Sequence, residues 1–321
     1  MQRSAVAVLD NDCATLAELR AHPEILNVLE LRDLRAELPG ERPRSGSHAL
    51  SCAGLIGGKN GIAPGTPLIV GGLPAKAKLQ ADFLRWAAGL PARSNADPRL
   101  GPPLVTPAAV ISMSLLLSEE PELVAALEEV ATLGRGGRGC VLVLAAGNLA
   151  QPAAQSIARY GHFLTVGASC LDACGREIIA PYSNHGLDVD LYARSGASMG
   201  RRYREPWDKV LAAALPFSGR PGWNTDELLR PLPGCLPPEL EGFYCLLAGT
   251  STSAALCAGA AARVLDTIPE LDAAAVKNLL CRTARRIDSE RGSFSRLDVN
   301  AAVAAARETP TFSRPAQRGV A

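Results

Sequence analysis

Short apolar segments typical of buried β-strands alternate along this chain with segments of helical periodicity. The patterns predict strands over 4–9, 25–31, 67–72, 108–115, 141–146 and 163–168, and helices over 14–20, 49–56, 79–88, 121–133, 153–159 and 250–268. Strands that alternate with helices favour βαβ units, which build a mostly parallel sheet with helices on both faces. The alternation therefore predicts a doubly wound α/β fold that binds its ligands at the carboxyl ends of the strands.

The chain length and the distribution of proline predict how this fold is organised. The 321 residues fit one large domain, which we expect over 1–308, followed by a flexible tail over 309–321. The alternation of strands and helices fails over 194–244, a segment that contains seven prolines. We interpret this segment as a long surface insertion within the domain rather than as a second domain.

Composition excludes several classes of protein. Lys and Arg (33) nearly balance Asp and Glu (32), and no basic stripe exists for binding nucleic acid. The longest charge-free runs, 139–158 and 242–262, contain too many polar residues for a membrane span. The N-terminus does not resemble a signal peptide, and nine scattered cysteines show no paired metal-site spacing. We therefore expect a cytoplasmic protein with no metal and no cofactor.

Four polar residues stand where predicted strands end or predicted helices begin. Asp10 and Asn148 follow the strands over 4–9 and 141–146, whereas His48 and Ser251 open the helices over 49–56 and 250–268. Each has an ordinary structural alternative, such as a helix N-cap for Ser251 or a turn for Asn148. Because parallel strands end at one edge of a sheet, the four side chains are expected to lie near one another.

Together these residue types supply the groups that acyl transfer requires. A hydroxyl nucleophile needs an imidazole to accept its proton, a carboxylate to orient that imidazole, and donors for the developing oxyanion. The chain order Asp, His, Ser is one of the known orders of such a triad. Asp12 and Asp33 remain alternatives to Asp10 as the orienting carboxylate.

Several segments around these residues are similar to the motifs of a known family. In chain order they are VAVLD (6–10), HALSCAG (48–54), GIAP (61–64), ISMSL (111–115), VLAAGN (143–148), TVGA (165–168), SNHG (183–186) and GTSTSAA (249–255). Through them, from about residue 6 to residue 304, the sequence resembles the subtilisin-like serine peptidases, or subtilases. The resemblance implies a doubly wound three-layer sandwich with a mostly parallel sheet. It also implies a serine endopeptidase whose substrates are proteins or peptides.

The resemblance also assigns roles to individual residues. It makes Ser251 the nucleophile, His48 the general base, Asp10 its orienting partner, and Asn148 an oxyanion donor together with the backbone N–H of Ser251. Further residues are expected to bind the substrate, either by pairing with its backbone or by forming the wall of its pocket. These are Ser112, Ser114, Leu115, Leu116, Ala145, Ala146 and Gly147.

Several positions depart from the family pattern. Ala49 and Leu50 follow the histidine where Gly and Thr are usual, Asn11 and Asp12 follow the aspartate, and Leu116 replaces a glycine of the substrate groove. Thr252 and Ala255 replace the usual Met and Pro near the nucleophile. Loss of the groove glycine predicts narrow specificity.

Only nine residues precede Asp10 in this sequence, so we expect no inhibitory prodomain. We therefore expect restraint to come from that narrow specificity or from a regulatory partner that binds through 194–244.

Two other functions are compatible with parts of the sequence. The altered residues beside His48 are compatible with a catalytically weak or inactive subtilase-like scaffold that binds without turnover. The glycine-rich segment 54–61 is a weaker candidate for nucleotide binding, since no Ser or Thr follows Lys59 as a phosphate-binding loop requires.

Overall fold

A sheet of ten strands forms the centre of the described part of the chain. That part covers residues 3–35, 48–91, 93–172, 174–197, 210–213, 244–289 and 292–309 of this computed structural model. The strands are β1 (Ala5–Asp10), β2 (Val28–Asp33), β3 (Leu68–Gly72), β4 (Ala108–Met113), β5 (Val141–Ala145), β6 (Phe163–Leu171), β7 (Glu177–Ile179), β8 (Leu191–Arg194), β11 (Arg285–Ile287) and β12 (Phe294–Arg296). Two further strands, β9 (Val210–Ala213) and β10 (Tyr244–Leu247), form a separate antiparallel pair.

The main sheet has the order β11-β12-β8-β6-β5-β4-β1-β3-β2, with β7 paired to β6. Seven of its strand pairs are parallel, and the β11–β12 and β6–β7 pairs are antiparallel. The chain builds β2 and β3 on one side of β1 and β4 to β8 on the other. The sheet order therefore reverses between β1 and β4, which is where doubly wound folds bind their ligands.

Helices cover both faces of the sheet. They are α1 (Leu16–Ala21), α2 (His48–Gly57), α3 (Ala77–Ala87), α4 (Pro121–Gly137), α5 (Thr250–Thr267), α6 (Ala273–Arg282) and α7 (Val299–Glu308). The central helices α2 and α5 belong to one apolar cluster with one face of the sheet, whereas α3 and α4 belong to the cluster on the other face. This arrangement confirms the predicted α/β fold with a mostly parallel sheet and three layers.

Burial on both faces explains the composition of the central strands. In β1, Val6 and Val8 pack with α2 and α5, while Ala7 and Leu9 pack on the opposite side with α3 and α4. A strand buried on both faces needs apolar residues at every position rather than at every second one. This explains why β5 is apolar throughout and why β1 is apolar up to its last residue, Asp10.

The structure also corrects several element predictions. The segment 153–159 contains no α-helix and instead forms a 3₁₀ helix over Ser156–Tyr160. The second strand begins at Val28 rather than at residue 25, and β7 to β12 together with α6 and α7 were absent from the prediction.

Most of the predicted insertion over 194–244 and of the predicted tail over 309–321 lies outside the described residues. Within the described part of the insertion, residues 210–213 form β9, which the sequence did not predict. No helix in the described part of the chain has the length and apolar character needed to span a bilayer. The cytoplasmic location stays a prediction.

Candidate active site

Asp10 and His48 form a hydrogen-bonded pair at the carboxyl end of β1. Asp10 is the last residue of β1 and is fully buried, and its Oδ2 lies 2.5 Å from Nδ1 of His48, the first residue of α2. The His48 side chain keeps 16% of its surface exposed. A carboxylate on Nδ1 fixes the imidazole tautomer and leaves Nε2 to accept a proton.

Asp12 supports this pair from the adjacent loop. Its backbone N–H donates to Oδ1 of Asp10 (3.2 Å), and its own Oδ2 accepts from the backbone N–H of His48 (3.3 Å). The Asp12 carbonyl oxygen accepts from the N–H of Ala49 (3.2 Å). Asp12 therefore satisfies two of the free N–H groups that open α2, which is the role of a helix cap.

The charges around the imidazole set its basicity. Burial lowers the pKa of His48, but the charge and hydrogen bond of Asp10 and the charge of Asp12 raise it, so that the pKa lies above its ordinary value. The pKa of Asp12 is also raised, first by burial and then by the neighbouring Asp10 carboxylate. The third aspartate considered, Asp33, is bound instead by Arg35 at 2.7 and 2.8 Å.

Ser251 occupies the first turn of α5. The preceding Gly249 has a φ of 134°, a conformation that L-residues with a side chain rarely adopt, and its N–H donates to Ser195 Oγ and Tyr182 Oη at 3.0 Å. Ser251 is 8% exposed. Within the described part of the chain, Ser251 and His48 are not joined by a hydrogen bond. Such catalytic contacts are often long before substrate binds.

Asn148 is held in place by Thr250, the residue before Ser251. The Oδ1 of Asn148 accepts from both the backbone N–H (2.9 Å) and the hydroxyl (3.0 Å) of Thr250. Thr250 Oγ1 in turn accepts from the N–H of Gly147 (3.1 Å). Because only the amide oxygen can accept from an N–H group, Thr250 determines which way the Asn148 amide is turned, and its NH₂ group remains available to a ligand.

A cavity of about 720 Å³ lies beside Ser251 and Asn148. Its walls include five of the predicted substrate-binding residues, namely Ser114, Leu115, Leu116, Ala145 and Gly147. Ser112 and Ala146 are fully buried and do not belong to the described lining. The structure thus brings Asp10 together with His48, and Ser251 together with Asn148 beside the cavity.

Gln155 connects the two walls of this cavity. Its Nε2 donates to the carbonyl oxygen of Ala145 (2.7 Å), and its Oε1 accepts from the N–H of Leu117 (3.2 Å). Gln155 itself lines the cavity. No local sequence pattern points to Gln155, because its position depends on a contact between remote segments. The bridging role of Thr250 was equally missed, although Thr250 stands inside the GTSTSAA segment.

One group of side chains in the described part of the chain lies close enough to share a metal ion. The ligand atoms of Asp10, His48 and Cys52 all lie within 4.8 Å of one another. Cys52 is fully buried, and its Sγ lies 3.7 Å from Ser114 Oγ. In a triad, however, Asp10 and His48 use the same atoms to bond each other.

Comparisons with known proteins agree on one family and one fold. The sequence model of the Subtilase family matches residues 2–300. A solved protease from Pseudoalteromonas arctica has 23% identity and a TM-score of 0.67, and the alignment covers 94% of this chain and 90% of that one. A cold-adapted subtilisin-like serine proteinase has 21% identity and a TM-score of 0.59, with 91% and 86% covered.

The serine protease of Aeromonas sobria has 18% identity and a TM-score of 0.66. The alignment covers 98% of this chain but 62% of the Aeromonas chain. No curated protein matches this chain. At these identities the structural likeness supports the fold, and the family rests on the match over residues 2–300.

Proposed function

Because the chain belongs to the subtilase family of serine proteases, we propose that it is an endopeptidase that cleaves peptide bonds through an acyl-enzyme on Ser251. The observation that carries the proposal is the 2.5 Å contact between Asp10 and His48. It joins residues from two separate segments, as a triad requires, at the strand end nearest the reversal of sheet order.

In the proposed reaction, His48 Nε2 takes the proton of the Ser251 hydroxyl as the oxygen attacks the substrate carbonyl carbon. The protonated imidazole then gives this proton to the leaving amine. In the second half of the reaction His48 takes a proton from water as the water attacks the ester, and then returns that proton to the Ser251 oxygen as the acid leaves. The Asp10 carboxylate stabilises the imidazolium form. Its full burial strengthens this effect, since little water is present to screen the charge.

The proposed oxyanion donors are the NH₂ group of Asn148 and the backbone N–H of Ser251. Thr250 supports this role because it holds the Asn148 oxygen and thereby turns the NH₂ group away from itself. Donors fixed before the reaction cost no reorganisation when charge develops, and loss of one such donor typically slows an acyl transfer by roughly 10²- to 10³-fold.

The rim of the cavity supports narrow specificity. Leu116 and Leu149 both line it and remain 76% and 72% exposed. An apolar side chain in place of the groove glycine narrows the space beside the substrate backbone, so that extended segments with bulky side chains should fit poorly. Binding of a regulatory partner through 194–244 stays a prediction.

An activity-based fluorophosphonate probe tests the nucleophile directly. Native protein should be labelled, Ser251→Ala should not, and His48→Ala should react far more slowly. Ser118→Ala serves as the control, because Ser118 is an exposed serine whose hydroxyl donates to Glu120 at 3.4 Å. Labelling that persists in Ser251→Ala would refute the assignment.

The alternative function is a subtilase-like scaffold that binds peptides without turnover. The sequence feature that favours this alternative is the replacement of the usual Gly and Thr after the histidine by Ala49 and Leu50. Complete failure of the native protein to react with the probe would support it. Specificity is tested separately with unfolded casein: an active protein that degrades casein rapidly at many sites would contradict the proposed narrow specificity.

A further inference from the structure

A second cavity, of about 200 Å³, lies at the end of α3, apart from the residues of the proposed active site. Its walls combine apolar side chains, namely Trp86, Leu90 and Leu100, with the guanidinium-bearing Arg85 and Arg93. None of these residues has a role in the proposed peptidase reaction. The mixture of an apolar surface with a few polar groups is typical of small-molecule sites.

The Arg85 side chain is buried, and two of its three guanidinium nitrogens lack a hydrogen-bond partner among the described residues. It is 3% exposed, and its Nε donates to Glu129 Oε2 at 2.6 Å. Its two terminal nitrogens, Nη1 and Nη2, are also buried and have no hydrogen-bond partner among the residues that the structure describes. A buried donor left unsatisfied is destabilising, and a charged one more so. Such a group therefore requires an acceptor, and the described residues do not supply one.

The acidic side chains around the cavity are already engaged by other cations. Glu129 accepts from Arg93 as well as from Arg85, at 2.6 Å in each case. Asp82 is paired with Lys78 (2.6 Å) and Asp97 with Arg99 (2.7 Å). One carboxylate is thus shared by two guanidinium groups, which leaves a positive charge beside the cavity without a dedicated counterion among the described residues.

We propose that this cavity binds a monocarboxylate that carries an apolar group. The carboxylate would bridge Nη1 and Nη2 of Arg85, since the planar guanidinium fork matches the two oxygens of a carboxylate. The apolar group would pack against Trp86, Leu90 and Leu100. At about 30 Å³ per water, the cavity has room for roughly seven waters, which suits an acid of about eight non-hydrogen atoms.

The same chemistry is found in free aliphatic acids and at the C-terminus of a peptide. Isothermal titration calorimetry on the full chain distinguishes these sources with hexanoate and N-acetyl-alanine as probes, which have eight and nine non-hydrogen atoms. Both should bind one per chain, and the tighter of the two identifies the source. Hexanamide, which has no charge, should bind at least about tenfold more weakly, because hydrogen bonds to charged groups contribute about 1.5–3 kcal/mol.

Three variants test the location. Arg85→Gln should weaken hexanoate binding at least about tenfold. Ala96→Phe, which fills the cavity from its partly exposed wall and keeps Arg85, should abolish binding even if Arg85→Gln does not fold. The control Arg282→Gln removes an exposed cation elsewhere and should bind hexanoate as the native chain does.

The proposal would be overturned if neither acid binds native protein, if hexanamide binds as well as hexanoate, or if Ala96→Phe leaves binding unchanged. Binding of inorganic phosphate in preference to both acids would also overturn it. Because each measurement is of binding, its result is independent of whether Ser251 reacts with the fluorophosphonate probe.

Discussion

Replacing Asp12 by asparagine should shift the pH dependence of the active site to lower pH. The side chain keeps an oxygen that can accept from the His48 N–H, now 3.3 Å from the Asp12 carboxylate, and loses only its charge. Burial lowers the pKa of His48, whereas Asp10 and, to a smaller extent, the Asp12 charge raise it above its ordinary value. Without the Asp12 charge, the imidazole becomes neutral at a lower pH.

The expected size follows from the order of these effects. A nearby opposite charge typically shifts a pKa by about 1–3 units. Asp12 ranks behind Asp10 and bonds the backbone of His48 rather than its ring, so the lower end applies. We therefore expect the midpoint of the pH dependence to move to lower pH by an amount at the low end of this range. On the acid side, Asp12→Asn should therefore react up to about tenfold faster than native protein.

The rate of fluorophosphonate inactivation as a function of pH measures this shift without a known substrate. The rate should rise with pH as His48 loses its proton, and the midpoint of the rise should lie lower in Asp12→Asn. Asp33→Asn is the matched control, because Asp33 pairs with Arg35 and does not contribute to the pKa of His48. A midpoint that stays in place or moves upward would refute the argument.

The same variant makes a second, independent test through stability. Burial raises the pKa of Asp12 in the folded protein, so protonation of Asp12 favours the folded state. This stabilisation is complete below the unfolded pKa of about 4 and is lost as pH rises through the folded pKa. Asparagine has no charge to bury. The difference in melting temperature between Asp12→Asn and native protein should therefore favour the variant more at pH 8 than at pH 4. Asp12→Ala, which cannot accept from the His48 N–H, should lose about 1 kcal/mol of helix-cap stabilisation.

Three further substitutions test the cleft. Leu116→Gly should widen the rim and raise kcat/KM for peptides with bulky side chains; an unchanged preference across a peptide library would contradict this. Gln155→Ala should remove the bridge between the cavity walls, raising KM more than it lowers kcat and costing about 1–2 kcal/mol in urea unfolding. Gly249→Ala should strain the backbone at φ 134°, at a cost of about 1–2 kcal/mol, and should reduce the rate of probe labelling by at least about tenfold. Labelling at the native rate would count against this prediction.

The sequence predicted best those elements that are buried on both faces. β1 and β5 are continuous apolar runs, and each is followed or ended by a polar residue that marks the edge of the sheet. The second strand was misplaced by three residues at its start because β2 is an edge strand with all six residues partly exposed. At such an edge, Glu30 and Arg32 are compatible with a strand, so the apolar pattern does not fix its limits.

Contacts between remote segments could not be predicted, and they form much of the candidate site. Nothing in the local sequence indicates that Asp12 caps α2 or that Gln155 joins the two cavity walls, since each contact depends on how loops meet in three dimensions. The four residues with the expected chemistry could be identified because parallel strands place their ends together. Their supporting residues have no comparable rule.

The supporting contacts divide the candidate site into two separately anchored halves. Asp12 ties the Asp10–His48 pair to the start of α2, whereas Thr250 ties Asn148 to the start of α5. The distance from His48 to Ser251 therefore depends on how closely α2 and α5 pack. Small residues set that packing: a Cβ on Gly259 of α5 would lie 2.8 Å from Ile62 Cβ, in the segment that follows α2. The scarcity of large side chains in α5 is thus a requirement of the site as well as of the core.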